Sequence, residues 1–129
     1  MSDISILLAD DHALVRAGIR KMIDEIPGLV VVGEVGDGPQ VFSALAVEQV
    51  DCLLIDVTMP SFDPIAAIRK IRALYPKLKI LVVSAYDDNI YVQGLLGAGV
   101  NGYHLKDQPL NDLKLAIQRV LSGERWISS

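Results

Sequence analysis

A chain of 129 residues suits one domain that buries about two thirds of the surface its unfolded form exposes. It is 51% hydrophobic and only 5% aromatic, so its core has to come from Val, Ile, Leu and Ala. A net charge of −4 with scattered Lys and Arg argues against a nucleic-acid-binding surface on this chain, and the single cysteine excludes an intramolecular disulfide. No apolar stretch approaches the length that spans a bilayer, and the N-terminus has an early acid and no basic segment. The expectation is a cytoplasmic protein with no membrane contact, in a compartment that keeps Cys52 reduced.

Ile4 to Ala9 is an apolar run stopped by Asp10-Asp11, which reads as a first buried strand. From His12 to Ile26 the apolar positions Leu14, Val15, Gly18, Ile19, Met22, Ile23 and Ile26 recur at helical spacing, with Arg16 and Arg20 facing outward. Pro27-Gly28 ends that helix, Leu29 to Val35 is a second strand, and Gly36 to Pro39 reads as a turn. A short helix follows over Gln40 to Gln49.

Asp51 to Pro60, DCLLIDVTMP, is the stretch around which the rest is arranged. Its continuous apolar run, Cys52 to Ile55, is what a strand buried on both faces looks like, and it leads directly into Asp56. Asp63-Pro64 opens the next helix, because Asp can cap and Pro is pre-set for a first helical position; the helix carries Ile65, Ile68, Ile71 and Leu74 on its apolar stripe and ends at Tyr75-Pro76. Ile80 to Ser84 is strand four. Asp87 to Leu96 is a helix weakened by nearby glycines, with Asp87-Asp88 at its start for capping. Asn101 to Leu105 is a more polar fifth strand suited to a sheet edge, where His104 would be structural or solvent-facing. Pro109 to Leu121 is the last helix, with Leu110, Leu113, Ile117, Val120 and Leu121 on one face.

Strands alternating with helices call for a parallel sheet with helices on both faces and right-handed crossovers. The expected fold is α/β, flavodoxin-like (βα)5, with a five-stranded parallel sheet in the order 2-1-3-4-5. In such a sheet, ligands bind beyond the carboxyl ends of the strands. Those ends carry Asp10-Asp11, Asp56, Ser84 and Lys106, so three carboxylates, a hydroxyl and an ammonium converge on one rim. Two carboxylates about 4 Å apart repel by roughly 4 kcal/mol at an effective dielectric near 20, and a hard divalent cation is the natural compensation. Oxygen ligands with carboxylates suit Mg²⁺. These parts serve phosphoryl transfer, with a carboxylate as nucleophile. Asp56 is the better nucleophile, standing alone on the central strand, and Asp10 and Asp11 are left to hold the metal.

The segments LLADDHALVRAGI, LLIDVTMP, VVSA and GYHLKD resemble, in that order, the receiver domain of two-component response regulators. ADDH, the KD after strand five and the ending SGERWIS are most similar to regulators whose receiver precedes a helix-turn-helix domain of the NarL or LuxR type. The resemblance covers residues 1–129 as a receiver domain and implies a sensor histidine kinase that phosphorylates Asp56. It implies Mg²⁺ bound by Asp10, Asp11, Asp56 and the backbone carbonyl of Thr58, with Lys106 on the phosphoryl oxygens. Ser84 and Tyr103 would move as switch residues, and the helix-four, strand-five, helix-five region would change. The chain would be no enzyme beyond its own phosphorylation and dephosphorylation. A homodimer is possible, DNA is reached only through a domain outside this chain, and a stand-alone or degenerate receiver acting as a protein-binding module is the alternative.

The resemblance departs in one loop. Where the family reads Pro-Gly-x-Asp-Gly, this chain has Pro60-Ser61-Phe62-Asp63-Pro64, and Pro64 removes an N–H and fixes φ near −65°. The third helix should therefore start differently. Two other uses of an α/β domain fit less well. A haloacid-dehalogenase-like phosphatase wants a second acid where Thr58 stands, and an FMN binder would have its phosphate repelled by Asp10-Asp11. His12 follows the acid pair, but Mg²⁺ prefers oxygen, so a first-turn helix role is the simpler one.

Overall fold

The computed structural model describes residues 3–128; Met1, Ser2 and Ser129, the ends of the expected domain span, lie outside them. The elements run β1 (Ile4–Ala9), α1 (Ala13–Asp24), β2 (Leu29–Val35), α2 (Gly38–Val47), β3 (Cys52–Ile55), α3 (Pro64–Leu74), β4 (Lys79–Ser84), α4 (Asn89–Ala98), β5 (Gly102–Leu105), α5 (Leu110–Leu121) and β6 (Trp126–Ile127). The sheet is parallel throughout, in the order β2-β1-β3-β4-β5-β6.

Alternation along the strands divides the core into two layers. Leu7, Leu53, Ile55, Ile80, Val82 and Tyr103 face α2, α3 and α4, where Val41, Ile68, Ile71 and Leu95 meet them. Ile6, Leu8, Cys52, Leu54, Leu81 and Val83 face α1 and α5, against Ile19, Ile23, Leu113 and Ile117. Each fully buried Ile or Leu contributes about 1.5–3 kcal/mol, and the central strands are buried on both sides, as a doubly wound sheet requires. Burial raises the Cys52 thiol to about 12, so it packs as an inert hydrophobe.

Four expectations are corrected. The sheet has six strands rather than five: Trp126-Ile127 crosses back over α5 and pairs with Gly102-Tyr103. β5 is therefore not an edge strand, and His104 is buried at 1% exposure. Leu14, Leu74 and Leu110, assigned to core-facing helix stripes, are 89%, 55% and 48% exposed. Leu14 and Leu110 lie in the first turns of α1 and α5, at the helix starts beside the strand ends, and Leu74 closes α3. Finally, α2 begins inside the expected turn, at Gly38. The Asp37 side chain accepts from Gln40 N at 2.8 Å and the Gln40 side chain accepts from Gly36 N at 2.9 Å, a reciprocal cap.

Asp88 caps α4 as expected, accepting from Ile90 N at 2.9 Å. Asp63 occupies the N-cap position of α3 without a side-chain cap bond, and Pro64 is the first helical residue. The left-handed conformation in this loop falls on Ser61 (φ 54°). The loop rests on α2: Gly38 N donates to Pro60 O at 3.1 Å, and a Cβ at Gly38 would stand 2.0 Å from the Ser61 carbonyl oxygen. Only glycine fits there.

Candidate functional site

The sheet ladder continues one residue past three strands and fixes the rim. Asp10 N donates to Val35 O (3.0 Å), Asp56 N to Ala9 O (2.8 Å) and Lys106 N to Ser84 O (2.8 Å). Backbone placement therefore aims Asp10, Asp56 and Lys106 at one point. Lys106 Nζ lies 2.6 Å from Asp56 Oδ2 and 3.0 Å from Asp10 Oδ2. The other Asp56 oxygen, Oδ1, accepts from Thr58 N (2.9 Å) and Thr58 Oγ1 (2.7 Å). Asp10 is held from behind as well: its Oδ1 accepts from His12 N at 2.8 Å, and Arg16 donates to its carbonyl while binding Glu34 Oε1 at 3.1 Å.

These contacts decide the charges. Burial alone pushes the Asp56 carboxyl upward, but the Lys106 and Thr58 hydrogen bonds outweigh it and hold Asp56 below its ordinary value of 3.8. Burial likewise pulls Lys106 down, and its bonds to Asp56 and Asp10 outweigh that and raise it. At neutral pH the site holds an ammonium between carboxylates. Carboxylate oxygens of Asp10, Asp11 and Asp56 and a ring nitrogen of His12 all lie within 4.8 Å of one another, an oxygen-dominated donor set that fits a hard divalent cation.

A cavity of about 540 Å³ opens above Asp56, lined by Asp11, His12, Val15, Thr58, Ala85, Tyr86 and Lys106. Ser84 is fully buried and is not among the residues that line it; its Oγ accepts from Tyr86 N at 3.2 Å. Tyr103 is 1% exposed, with its hydroxyl donating to Tyr86 O at 2.6 Å, and burial raises its pKa. The loop Ala85–Tyr86 thus links the two expected switch residues.

Two participants were not legible as such. The Thr58 side chain grips Asp56; the sequence pointed to its carbonyl as a metal ligand and to its place beside the acceptor, but not to this contact. His12 precedes α1 as its N-cap residue, yet its Nδ1 lies 3.1 Å from Asp10 Oδ1, 3.6 Å from Asp56 Oδ2 and 3.2 Å from Lys106 Nζ. The available signal was position: each stands within two residues of a rim acid.

A doubly wound parallel sheet with three acids and a lysine gathered at its strand ends defines the phosphoacceptor class of signalling domain. The chain belongs to the response regulator receiver domain family, whose sequence profile matches residues 6–118. It is 36% identical over 126 residues to the response regulator UvrY of Escherichia coli (strain K12), covering 98% of this chain and 58% of that one. Of solved structures, a two-component response regulator of the LuxR family from Aurantimonas sp. SI85-9A1 superposes with TM-score 0.91 at 31% identity, covering 98% of this chain and 91% of that one. The non-phosphorylated receiver domain of the stress response regulator RcsB from Escherichia coli does so with TM-score 0.92 at 27%, covering 99% and 100%. This chain therefore spans a little under three fifths of the length of its curated relative UvrY. The receiver family acts in phosphorylation-dependent two-component signalling, and is not a classical enzyme family. No helix among the described residues is long and apolar enough to cross a membrane.

Proposed function

We propose that Asp56 accepts a phosphoryl group from the phosphohistidine of a sensor histidine kinase, and that this switches residues 1–129, a single receiver domain. The observation that carries the reading is the 2.6 Å contact between Lys106 Nζ and Asp56 Oδ2 in a rim shared with Asp10 and Asp11. An Asp56 carboxylate oxygen forms the new bond to phosphorus as the phosphorus–nitrogen bond of the donor breaks. Thr58 fixes one Asp56 oxygen and so orients the other. Lys106 gives up the carboxylate and follows the phosphoryl oxygens, to which its ammonium is better matched.

Asp10, Asp11, Asp56 and the Thr58 carbonyl would hold Mg²⁺, which when bound supplies charge neutralisation for the phosphoryl oxygens. The new anion carries about −1.5 to −2 charges. Ser84 Oγ would turn from the Tyr86 amide to donate to it, and Tyr103 would follow through the loop that both touch. The α4, β5, α5 region is the part that changes. Catalysis goes no further than the chain's own phosphorylation and dephosphorylation. Transcriptional control through a helix-turn-helix domain outside this sequence, a homodimer and a cytoplasmic location complete the reading.

The test is acetyl phosphate labelling followed by intact mass, with Mg²⁺ or with a chelator, on the native chain and on Asp56→Asn. One phosphoryl group added only with Mg²⁺, and lost in the variant, is expected. No labelling of the native chain would leave a degenerate receiver acting as a protein-binding module.

A further inference from the structure

Asp10, Asp56 and Lys106 are aimed by the sheet ladder, each donating its backbone N–H to a neighbouring strand. Asp11 is not. Among the described residues its amide makes no hydrogen bond, and its carboxylate meets the exposed His12 ring at 3.4 Å. Yet a carboxylate oxygen of Asp11 lies within 4.8 Å of those of Asp10 and Asp56. Like charges that close would swing an unrestrained side chain outward. The restraint lies in the backbone on its N-terminal side.

The peptide between Asp10 and Asp11 is a rigid plane, so fixing the Asp10 carbonyl fixes the direction in which the chain enters Asp11. Arg16 of α1 fixes it: one guanidinium nitrogen, Nη1, donates to Asp10 O, and Nε donates to Glu34 Oε1 of β2 at 3.1 Å. Glu34 is held in turn, its other oxygen accepting from Arg20 Nη1 at 2.7 Å. Gly36, just past β2, packs on the same group, for a Cβ there would lie 3.7 Å from Arg16 Nη1 and 3.8 Å from Asp11 Cα. A planar guanidinium grips two acceptors at a fixed angle, which a lysine ammonium does not reproduce. Glu34 also offsets the Arg16 charge, so the guanidinium repels a nearby cation less.

We propose that Arg16, clamped by Glu34, is a positioning residue for the divalent cation: it holds the Asp10–Asp11 peptide so that the Asp11 carboxylate stays turned toward Asp10 and Asp56. The proposal rests on the phosphoacceptor reading above and adds to it the device that sets its least restrained acid. Arg16 touches neither the cation nor the phosphoryl group. It acts through Asp11, and its own place is set by the Glu34 side chain of the neighbouring strand.

The test is a Mg²⁺ titration at constant ionic strength of the native chain and Arg16→Met, following the Asp11, Asp56 and Lys106 amides by NMR. Methionine keeps an unbranched stem on α1. The indole signal of Trp126, the only tryptophan and at the opposite edge of the sheet from β2, reports the fold. Charge and position predict opposite signs. If only the field mattered, removing a cation near the site would tighten Mg²⁺ binding. Loss of the clamp should instead weaken it about tenfold, as loss of a supporting partner does at metal sites. Arg16→Lys keeps the charge without the fork and should weaken it by about threefold or more, and it decides the matter should Arg16→Met not fold. In acetyl phosphate labelling, the Mg²⁺ needed for half-maximal rate should rise in both variants by more than the saturated rate falls. Variants that bind Mg²⁺ as tightly as the native chain, or more tightly, overturn this proposal alone and leave Arg16 a strut between α1 and β2. A native chain that binds no Mg²⁺ overturns it together with the phosphoacceptor reading.

Discussion

Lys106 and His104 stand two residues apart at the end of one strand, both basic and both largely withdrawn from water, and the fold treats them in opposite ways. Burial acts first and in the same direction on each, pulling its proton affinity down. For Lys106 the carboxylates of Asp56 and Asp10 reverse that effect, so it is a buried cation. His104 meets a donor, Trp126, instead of an acid, and the weaker opposing effect of Asp112 and Asp107 does not reverse the loss. Its proton affinity falls below the ordinary value of 6.5 and the ring is neutral at pH 7. What a buried base does is decided by the group it meets, and burial sets only how much that group matters.

The comparison is broken most forcefully at Lys106. Lys106→Met leaves Asp10 and Asp56 facing each other with no counter-charge. The Lys106 side chain keeps 16% of its exposure, so the loss falls below that of a fully buried pair, at about 2–3 kcal/mol at pH 7. Asp56→Asn in the same background should recover more than about 1 kcal/mol, because it removes the repulsion the first change exposed. Urea unfolding of the four-member cycle measures this. Strict additivity would mean that the ammonium does not stabilise the acids.

The two residues also mark where the sequence could be read and where it could not. Lys106, Asp10, Asp11 and Asp56 were legible because hydrophobic runs mark strands buried on both faces, and a parallel sheet aligns the ends of such runs without any knowledge of packing. His104 was misread as an edge residue because β6 is invisible to the same logic: Trp126-Ile127 is two residues long, too short to show a period, and its pairing is fixed by the path of α5. Leu14 was misread for a related reason. Helical spacing assigns a residue to a stripe, but not to the portion of the stripe that the sheet covers. Gly38 looked like a turn residue, and only the tertiary approach of the Ser61 carbonyl shows why glycine is needed.

At the other pole, Trp126→Phe keeps most of the ring contact with His104 and removes the N–H. The loss should be about 1 kcal/mol, the ordinary contribution of one hydrogen bond. The variant should also free Nδ1 to take a proton, so the His104 ring should titrate at higher pH than in the native chain, as followed by its NMR shifts. An unchanged titration would show that Ser128 alone sets the ring's state.

pH tests the same point in the native chain. The unfolded chain takes up a proton near pH 6.5 at His104, whereas the fold resists until a lower pH. The neutral ring's contribution is therefore complete above about pH 6.5 and is lost as pH falls from there toward the folded value, below which it changes no further. Asp112 and Asp107 are the charged groups that oppose the effect of burial on the ring. Stability measured from pH 7 to pH 5.5 should decline.

The smallest effect is the most discriminating. His104→Leu deletes a buried N–H that has no hydrogen-bond partner among the described residues and places an apolar side chain on the α1–α5 side of the sheet, where Val83 and Leu113 also lie. It also strands the Trp126 indole, but that ring is only partly buried, so water can bond it. These terms oppose each other, and stability at pH 7 should change by less than about 1 kcal/mol. The slope between pH 7 and pH 5.5 should nevertheless flatten relative to the native chain, since the carboxylates are common to both. A base held by acids, removed, costs several times what a base held by burial costs; equal losses at Lys106 and His104 would show that position on β5, and not the partner, governs both.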